Sequence, residues 1–330
     1  MASIMTNASA LTALQSLNAT NKNLETTQSR ISTGYRVAEA SDNAAYWSIA
    51  TTMRSDKSSL SVVQDTLGLG ASKVDTAYTN INKTIDTVNA IKDKLVAASG
   101  ASTADKAKIQ VEVSALQASL KMTSDGATAA GSNWLSVDTT SGQTAAGTHD
   151  DAKIVAAYTR NSAGKVALQT IDVDVQSVKL YEAYASATNT EKGILDGTRL
   201  ASSGARDNTA VATVGNAAAA ATDGYAVSTL TVVGFNDTQI ADMINVVDTA
   251  SKELTDAATK LGAAKVRIDL QKNSTQSLMD SIDRGVGQLV DADMNKESTR
   301  LQALQVQQQL GIQALSIANG NSQSILSLFR

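Results

Sequence analysis

The chain has 330 residues with no cysteine and no proline, 3% aromatic side chains, and a net charge of −4 with a pI near 5.1. Zero cysteine excludes disulfides, thiol catalysis and Cys-ligated metal centres, and an acidic balance without any block of like charge argues against a nucleic-acid footprint or a polybasic membrane patch. Average usage of about 5% would supply roughly 16 prolines; without them helices run free of the ~3 kcal/mol break that proline imposes.

From residue 1 the pattern is helical. Ile4 and Leu11 lie seven apart, as do Leu17, Leu24 and Ile31, with Leu14 beside them. Seven-residue spacing predicts pairing with another helix through a narrow apolar seam, which Asn18, Asn21 and Gln28 interrupt. The first residues offer neither a basic region nor a continuous apolar one, so no cleaved secretory signal is expected. Gly34 should stop this helix, and Ser41-Asp42-Asn43 should cap the next. A long helix is predicted over about 56–98, carried by Val62, Val63, Leu67, Val74, Ile81, Ile85, Val88, Ile91 and Leu95 and ended by Ser99-Gly100. Ser102 and Asp105 form a capping-box pattern that opens a further helix through Ile109, Val113, Leu116 and Leu120.

From about 131 to 235 the character changes, with more Gly, Thr, Ser and Asp and short alternating runs. Residues 154–159 and 165–175 flank Asn161-Ser162-Ala163-Gly164 and read as a β-hairpin. Residues 226–233 read as another strand, and 202–223 as loop. The helical pattern returns after an Asn236-Asp237-Thr238 cap, with Leu254, Leu261 and Ile268 seven apart. A helix over 238–284 would be roughly 70 Å long, which requires an equally long partner. The Gly285-Val286-Gly287 step is expected to separate a last helix bearing Leu301, Leu304, Leu310, Leu315 and Ile317.

The predicted fold class is therefore mainly α. It is a long helical rod whose terminal helices form an antiparallel coiled coil, plus a small α/β or β-containing outer insert. No apolar run approaches the roughly 18 residues that span a bilayer, so membrane insertion is not expected.

Motifs that could carry chemistry fail on their residues. His149 is the lone histidine and sits in a Gly/Ala-rich linker, which leaves no Ser/His/Asp triad and no HExxH site. Gly68-Leu69-Gly70-Ala71-Ser72-Lys73 lacks the spacing of a phosphate loop and lies inside helical periodicity, where it reads as a close-packed helix step. Asp291-Ala292-Asp293-Met294-Asn295 imitates the start of a calcium loop, but Lys296 stands at position six and Gln302 at position twelve. It is better placed as the cap of the last helix. No catalytic residue, metal or cofactor is expected.

Specific motifs then identify a family resemblance. Leu14-Gln15-Ser16-Leu17-Asn18, Arg30-Ile31-Ser32-Thr33-Gly34-Tyr35-Arg36-Val37 and Ala40-Ser41-Asp42-Asn43-Ala44-Ala45 resemble the N-terminal signature of bacterial flagellins. Asp291-Ala292-Asp293, Gln307-Gln308-Gln309, Ala318-Asn319 and the closing Ile325-Leu326-Ser327-Leu328-Phe329-Arg330 are similar to the C-terminal one. The family positions are Ser32, Gly34, Asp42, Ala44, Ala45 and Arg330. The resemblance is of the alphaproteobacterial, short-insert kind.

That resemblance implies a secreted, extracellular filament subunit, exported unfolded by the flagellar type III apparatus and polymerised through its terminal helices. Its partners would be identical or closely related subunits, the export apparatus, an export chaperone and the cap protein, with neither nucleic acid nor membrane insertion. Residues 1–45 and 288–330 would form an inner coiled-coil domain, 46–145 and 236–287 a helical rod domain, and 146–235 a small outer domain. The coiled-coil interface would draw on Ile4, Leu11, Leu14, Leu17, Leu24, Ile31, Leu301, Leu304, Leu310, Leu315, Ile317 and Leu328. A hook–filament junction protein shares the terminal signatures and stands as the alternative. Many flagellins also carry an arginine-rich stretch that a vertebrate Toll-like receptor reads; the matching residues here, 86–93, contain no arginine.

Overall fold

A computed structural model of the chain describes residues 7–138, 150–161, 165–184, 187–212 and 222–328, with backbone alone over 321–328. Ile4, His149 and Arg330, and the side chain of Leu328, lie outside what is described. Five helices carry the fold: α1 (Ala8–Thr33), α2 (Ala44–Ala98), α3 (Thr103–Asp125), α4 (Asp237–Val290) and α5 (Met294–Leu328). The chain divides into two compact units, residues 1–59 with 278–330, and residues 60–277.

Helix boundaries follow local chemistry. Asn7 caps α1 by accepting from the Ala10 N–H, and Gly34 ends it in the left-handed region at φ 77°. Asn43 accepts from the Tyr46 N–H and starts α2, so the helix runs unbroken from Ala44 and not from about 56. Gly100, at φ 76°, closes it. Ser102 accepts from the Asp105 N–H while its hydroxyl donates to the Asp105 carboxylate. At α4 the box is reciprocal: Asn236 Oδ1 accepts from the Gln239 N–H, and Gln239 Oε1 from the Asn236 N–H.

Within the 60–277 unit, α2 buries Leu67, Val74, Ile81, Val88 and Leu95, an uninterrupted seven-residue repeat. Helix α4 answers with Ile240, Val247, Leu254, Leu261 and Ile268 at the same interval. The second stripe of each narrows in its middle, with Ala77 and Thr84 between Val63 and Ile91 on α2 and Ala250, Ala257 and Ala264 following Met243 on α4. Small residues there bring the backbones close, which is how a chain so poor in rings still fills its seam. The helices run antiparallel in one register: Gln64 bonds Gln276, Lys265 bonds Asp75, and Lys92 bonds Asp248. As α2 advances 28 residues from the first pair to the last, α4 retreats by the same 28. Helix α3 adds Val113 and Leu120 to this core.

The insert is a set of small sheets. β1 (Thr128–Ala129) pairs antiparallel with β2 (Ser132–Asn133), and β3 (Ser136–Val137) pairs parallel with β6 (Tyr181–Glu182). β4 (Ala152–Arg160) and β5 (Val166–Val173) form the expected antiparallel hairpin. β9 (Asp223–Tyr225) lies between β7 (Arg199–Leu200) and β8 (Val211–Ala212). The hairpin lies on α2 at Gly70, where an added Cβ would sit 2.5 Å from Ile154 Cγ2. The glycine step is thus close-packed against a strand. A salt-linked network ties the insert to α4: Arg199, fully buried, holds Glu253 through both guanidinium nitrogens.

Two expectations are corrected. Residues 226–233 are not a strand but a short 3-10 helix (Val227–Thr229) with irregular flanks. Side chains of α3 satisfy this backbone in place of a neighbouring strand: Gln117 donates to the carbonyls of Val227 and Leu230, and Gln110 accepts from the Val232 N–H. The Gly285-Val286-Gly287 step does not break the helix either, since α4 continues to Val290. Val286 and Val290 are held in a cluster with Val37 and Ala50, and Gly285 leaves room for Met53. The break falls at 291–293, where Ala292 N–H donates to the Gly34 carbonyl and Asp293 caps α5 through the Asn295 and Lys296 N–H groups.

Candidate functional site

The unit formed by 1–59 and 278–330 holds the two terminal helices, α1 and α5, packed along one another. Their direction is antiparallel. Asn7 Nδ2 donates to the Ala318 carbonyl, Leu17 lies against Gly311, Gln308 donates to Asn21, and Arg30 pairs with Glu297. Polar residues thus fix the register at both ends and the middle of a seam that apolar residues fill only in part.

The predicted seam residues divide into two groups. Leu304 is buried, and Leu17, Leu24, Ile31, Leu301 and Leu315 are half-buried. Leu11 and Leu14 are exposed, as are Leu310 at 57% and Ile317 at 66%. Val306 and Ile312 are exposed as well and escaped the sequence reading, although Val306 and Leu310 stand four apart in helical phase. Thr27 is the one buried residue of α1. Between the helix ends a groove of about 650 Å³ is lined by small side chains, among them Ser9, Thr12, Ala13 and Ala314.

The loop joining α1 to α2 is pinned by backbone bonds. Arg36 and Val37 N–H groups donate to the Val290 carbonyl, Tyr35 bridges Asp291, and Asp42 accepts from the Ala38 and Glu39 N–H groups. Gly34 and Asp42, named from sequence, therefore shape this loop. Ser32, Ala44 and Ala45 are exposed.

Charge in the 60–277 unit is arranged for holding helices together. Hydrogen bonds from Lys252 and Lys92 hold the Asp248 carboxyl down at about 2. In the insert, burial raises Asp196 against the opposing pull of backbone N–H donors from Glu182 and Gly193. Among the described residues no group of three or more His, Cys, Asp and Glu side chains could hold a metal ion, and no helix is long and apolar enough to cross a membrane.

Comparison with known proteins places these features. Residues 4–140 match the bacterial flagellin N-terminal helical region and 244–329 the bacterial flagellin C-terminal helical region. The chain is 49% identical over 330 residues to a flagellin of Brucella melitensis and 48% identical over 337 to flagellin C of Rhizobium meliloti, each alignment covering both chains in full. It is 41% identical over 402 aligned positions to flagellin A of Rhizobium meliloti, again covering both chains in full.

Proposed function

The chain belongs to the bacterial flagellin family, and from that premise we propose that its paired terminal helices are the element through which copies of this filament subunit polymerise. A flagellin is a structural protein of the extracellular flagellar filament, and self-assembly is its work. One observation supports α1 and α5 in that role: an antiparallel pair that leaves Leu11, Leu14, Val306, Leu310, Ile312 and Ile317 uncovered. Outward leucines and isoleucines on both members of a pair call for further helices around it.

The energetics couple folding to assembly. Ordering the 26 residues of α1 costs on the order of 1–2 kcal/mol each in backbone entropy. A helix with a single buried residue recovers little of that inside its own chain. Neighbouring copies supply the missing burial, and a heterologous, non-closing contact of this kind propagates as a filament. The assignments of 1–45 with 288–330 to an inner layer, 46–145 with 236–287 to a rod, and 146–235 to the outer surface belong to the same proposal. So do Ile4, Leu17, Leu304 and Leu328 as interface residues, and export unfolded through the type III apparatus with chaperone and cap protein as transient partners. The hook–filament junction alternative is not favoured, since the relatives that match at full length are flagellins.

Deleting 311–330 tests the proposal. The truncated chain should stay soluble and keep the helical signal of the 60–277 unit while sedimenting only as monomer at concentrations where the full chain forms filaments. Normal filaments from the truncation would refute it.

A further inference from the structure

The chain has seven Tyr, two Trp and two Phe, and among the described residues the three exposed rings fall within thirteen positions of one another. They are Tyr35 at 39%, Tyr46 at 40% and Trp47 at 38%. Ile49, 50% exposed, stands beside them. Every residue from 44 to 49 is exposed, and Ser48 alone among them is polar, so the opening turn and a half of α2 shows apolar side chains over most of its circumference. A helical turn this apolar normally lies against a covering surface.

The same stripe is covered one turn later. Ala50 is 1% exposed and clusters with Val286 and Val290, whereas Tyr46 and Trp47, four and three residues before it on the same face, meet no such cover. Two arginines frame the rings: the Arg54 guanidinium lies 4.8 Å from the Tyr35 ring centre, and that of Arg36 6.0 Å from Tyr46. The platform is rigid, because Tyr35, Arg36 and Val37 are tied by their backbones to the end of α4. Pre-ordered rings lose little freedom on docking, and Trp, Tyr and Arg are the side chains that dominate interface energetics.

We propose that Tyr35, Tyr46, Trp47 and Ile49, with Arg36 and Arg54, form a discrete hot spot that docks a second copy of this chain, separate from the leucine seam of α1 and α5. The inference rests on the filament reading above. The occupant is argued from two features. The patch lies in the same unit as the terminal helices, whose own outward apolar residues already call for neighbouring copies. It is also edged by cations on a chain whose Asp and Glu outnumber its Lys and Arg by 32 to 28, so a copy of the chain presents the complementary sign.

Tryptophan reports on this site directly. Trp134 is 7% exposed and belongs to the core of the other unit, so Trp134→Phe leaves Trp47 as the sole tryptophan. On polymerisation of that variant, verified by electron microscopy, acrylamide quenching should fall at least threefold and emission should move to shorter wavelength. In the otherwise native chain, Trp47→Ala should raise the critical concentration at least tenfold without changing the far-UV spectrum of the monomer, and Trp47→Phe should restore part of the loss. This second arm is independent of how Trp134→Phe folds. Filaments in which Trp47 quenches as freely as in monomer, or a Trp47→Ala chain that polymerises at the native concentration, would overturn the hot spot and leave the filament role intact. Failure of the native chain to polymerise would overturn both.

Discussion

Leu310→Ala separates burial within the chain from burial between chains. Leu310 is 57% exposed, so roughly half of its side-chain surface is left for a neighbour to cover. Full burial of a leucine stabilises by about 1.5–3 kcal/mol, and the uncovered half corresponds to about 1–1.5 kcal/mol per filament contact. At 1.4 kcal/mol per tenfold, the critical concentration should rise roughly five- to twelvefold. Leu304→Ala is the counterpart, since Leu304 is 7% exposed within its own chain. Its loss should weaken the α1–α5 pair itself by about 2–5 kcal/mol and so suppress polymerisation more strongly. Pelleting assays across a concentration series measure both, with circular dichroism of the unpolymerised chain as control. If Leu310→Ala assembles at the native critical concentration, the outward face of α5 is not an interface and the reasoning fails.

Three further outcomes are expected. Gly70→Ala should lower the thermal stability of the 60–277 unit by about 1–3 kcal/mol despite the better helix propensity of alanine, because the new Cβ meets Ile154 at 2.5 Å; calorimetry would show the opposite sign if the hairpin yields freely. The Asp248 carboxyl, depressed from 3.8 to about 2, contributes stability that is complete above pH 3.8 and drains away as pH falls toward 2. Because the group is 35% exposed the contribution is below about 1 kcal/mol, and Asp248→Asn should flatten the acid limb of the melting profile between those values. On α2, residues 86–93 present Asp86, Asn89 and Asp93 outward where a cationic face would be needed, so purified monomer should give a weak or absent response in a Toll-like flagellin-receptor reporter; a full response would contradict this.

Local punctuation was legible in the sequence because it is a property of neighbours. Gly34, Asn43, Ser102, Asn236 and Asp293 act at the positions their residue types predict. The hairpin of 152–173 was equally plain from alternation around Asn161. What escaped depends on distant partners. Residues 226–233 alternate like a strand, yet Gln110 and Gln117, more than a hundred positions upstream, satisfy their backbone. The glycines at 285 and 287 look like a break until Met53 and Asp291 are seen to occupy the space they leave. Among the predicted seam residues, helical phase already divides the set: Leu310 stands six residues past Leu304, about 240° around the helix, and so faces away from the stripe that α1 covers. The aromatic cluster carried a signal that was passed over: three of eleven rings crowded beside an N-cap in a chain that otherwise spends rings sparingly.

The register between α2 and α4 has a consequence for how such chains change length. The Gly100 N–H and Lys106 both bond the Asp237 carboxylate, and Lys106 also reaches the Phe235 carbonyl. The polypeptide between residues 106 and 235 therefore leaves and re-enters the long helices through a single latch. Residues added inside that excursion lengthen a detour without sliding either helix along the other, whereas one residue added within 64–92 would put every later heptad position out of phase. Alignment with flagellin A of Rhizobium meliloti runs to 402 positions against the 330 of this chain, a difference that a latched excursion can absorb.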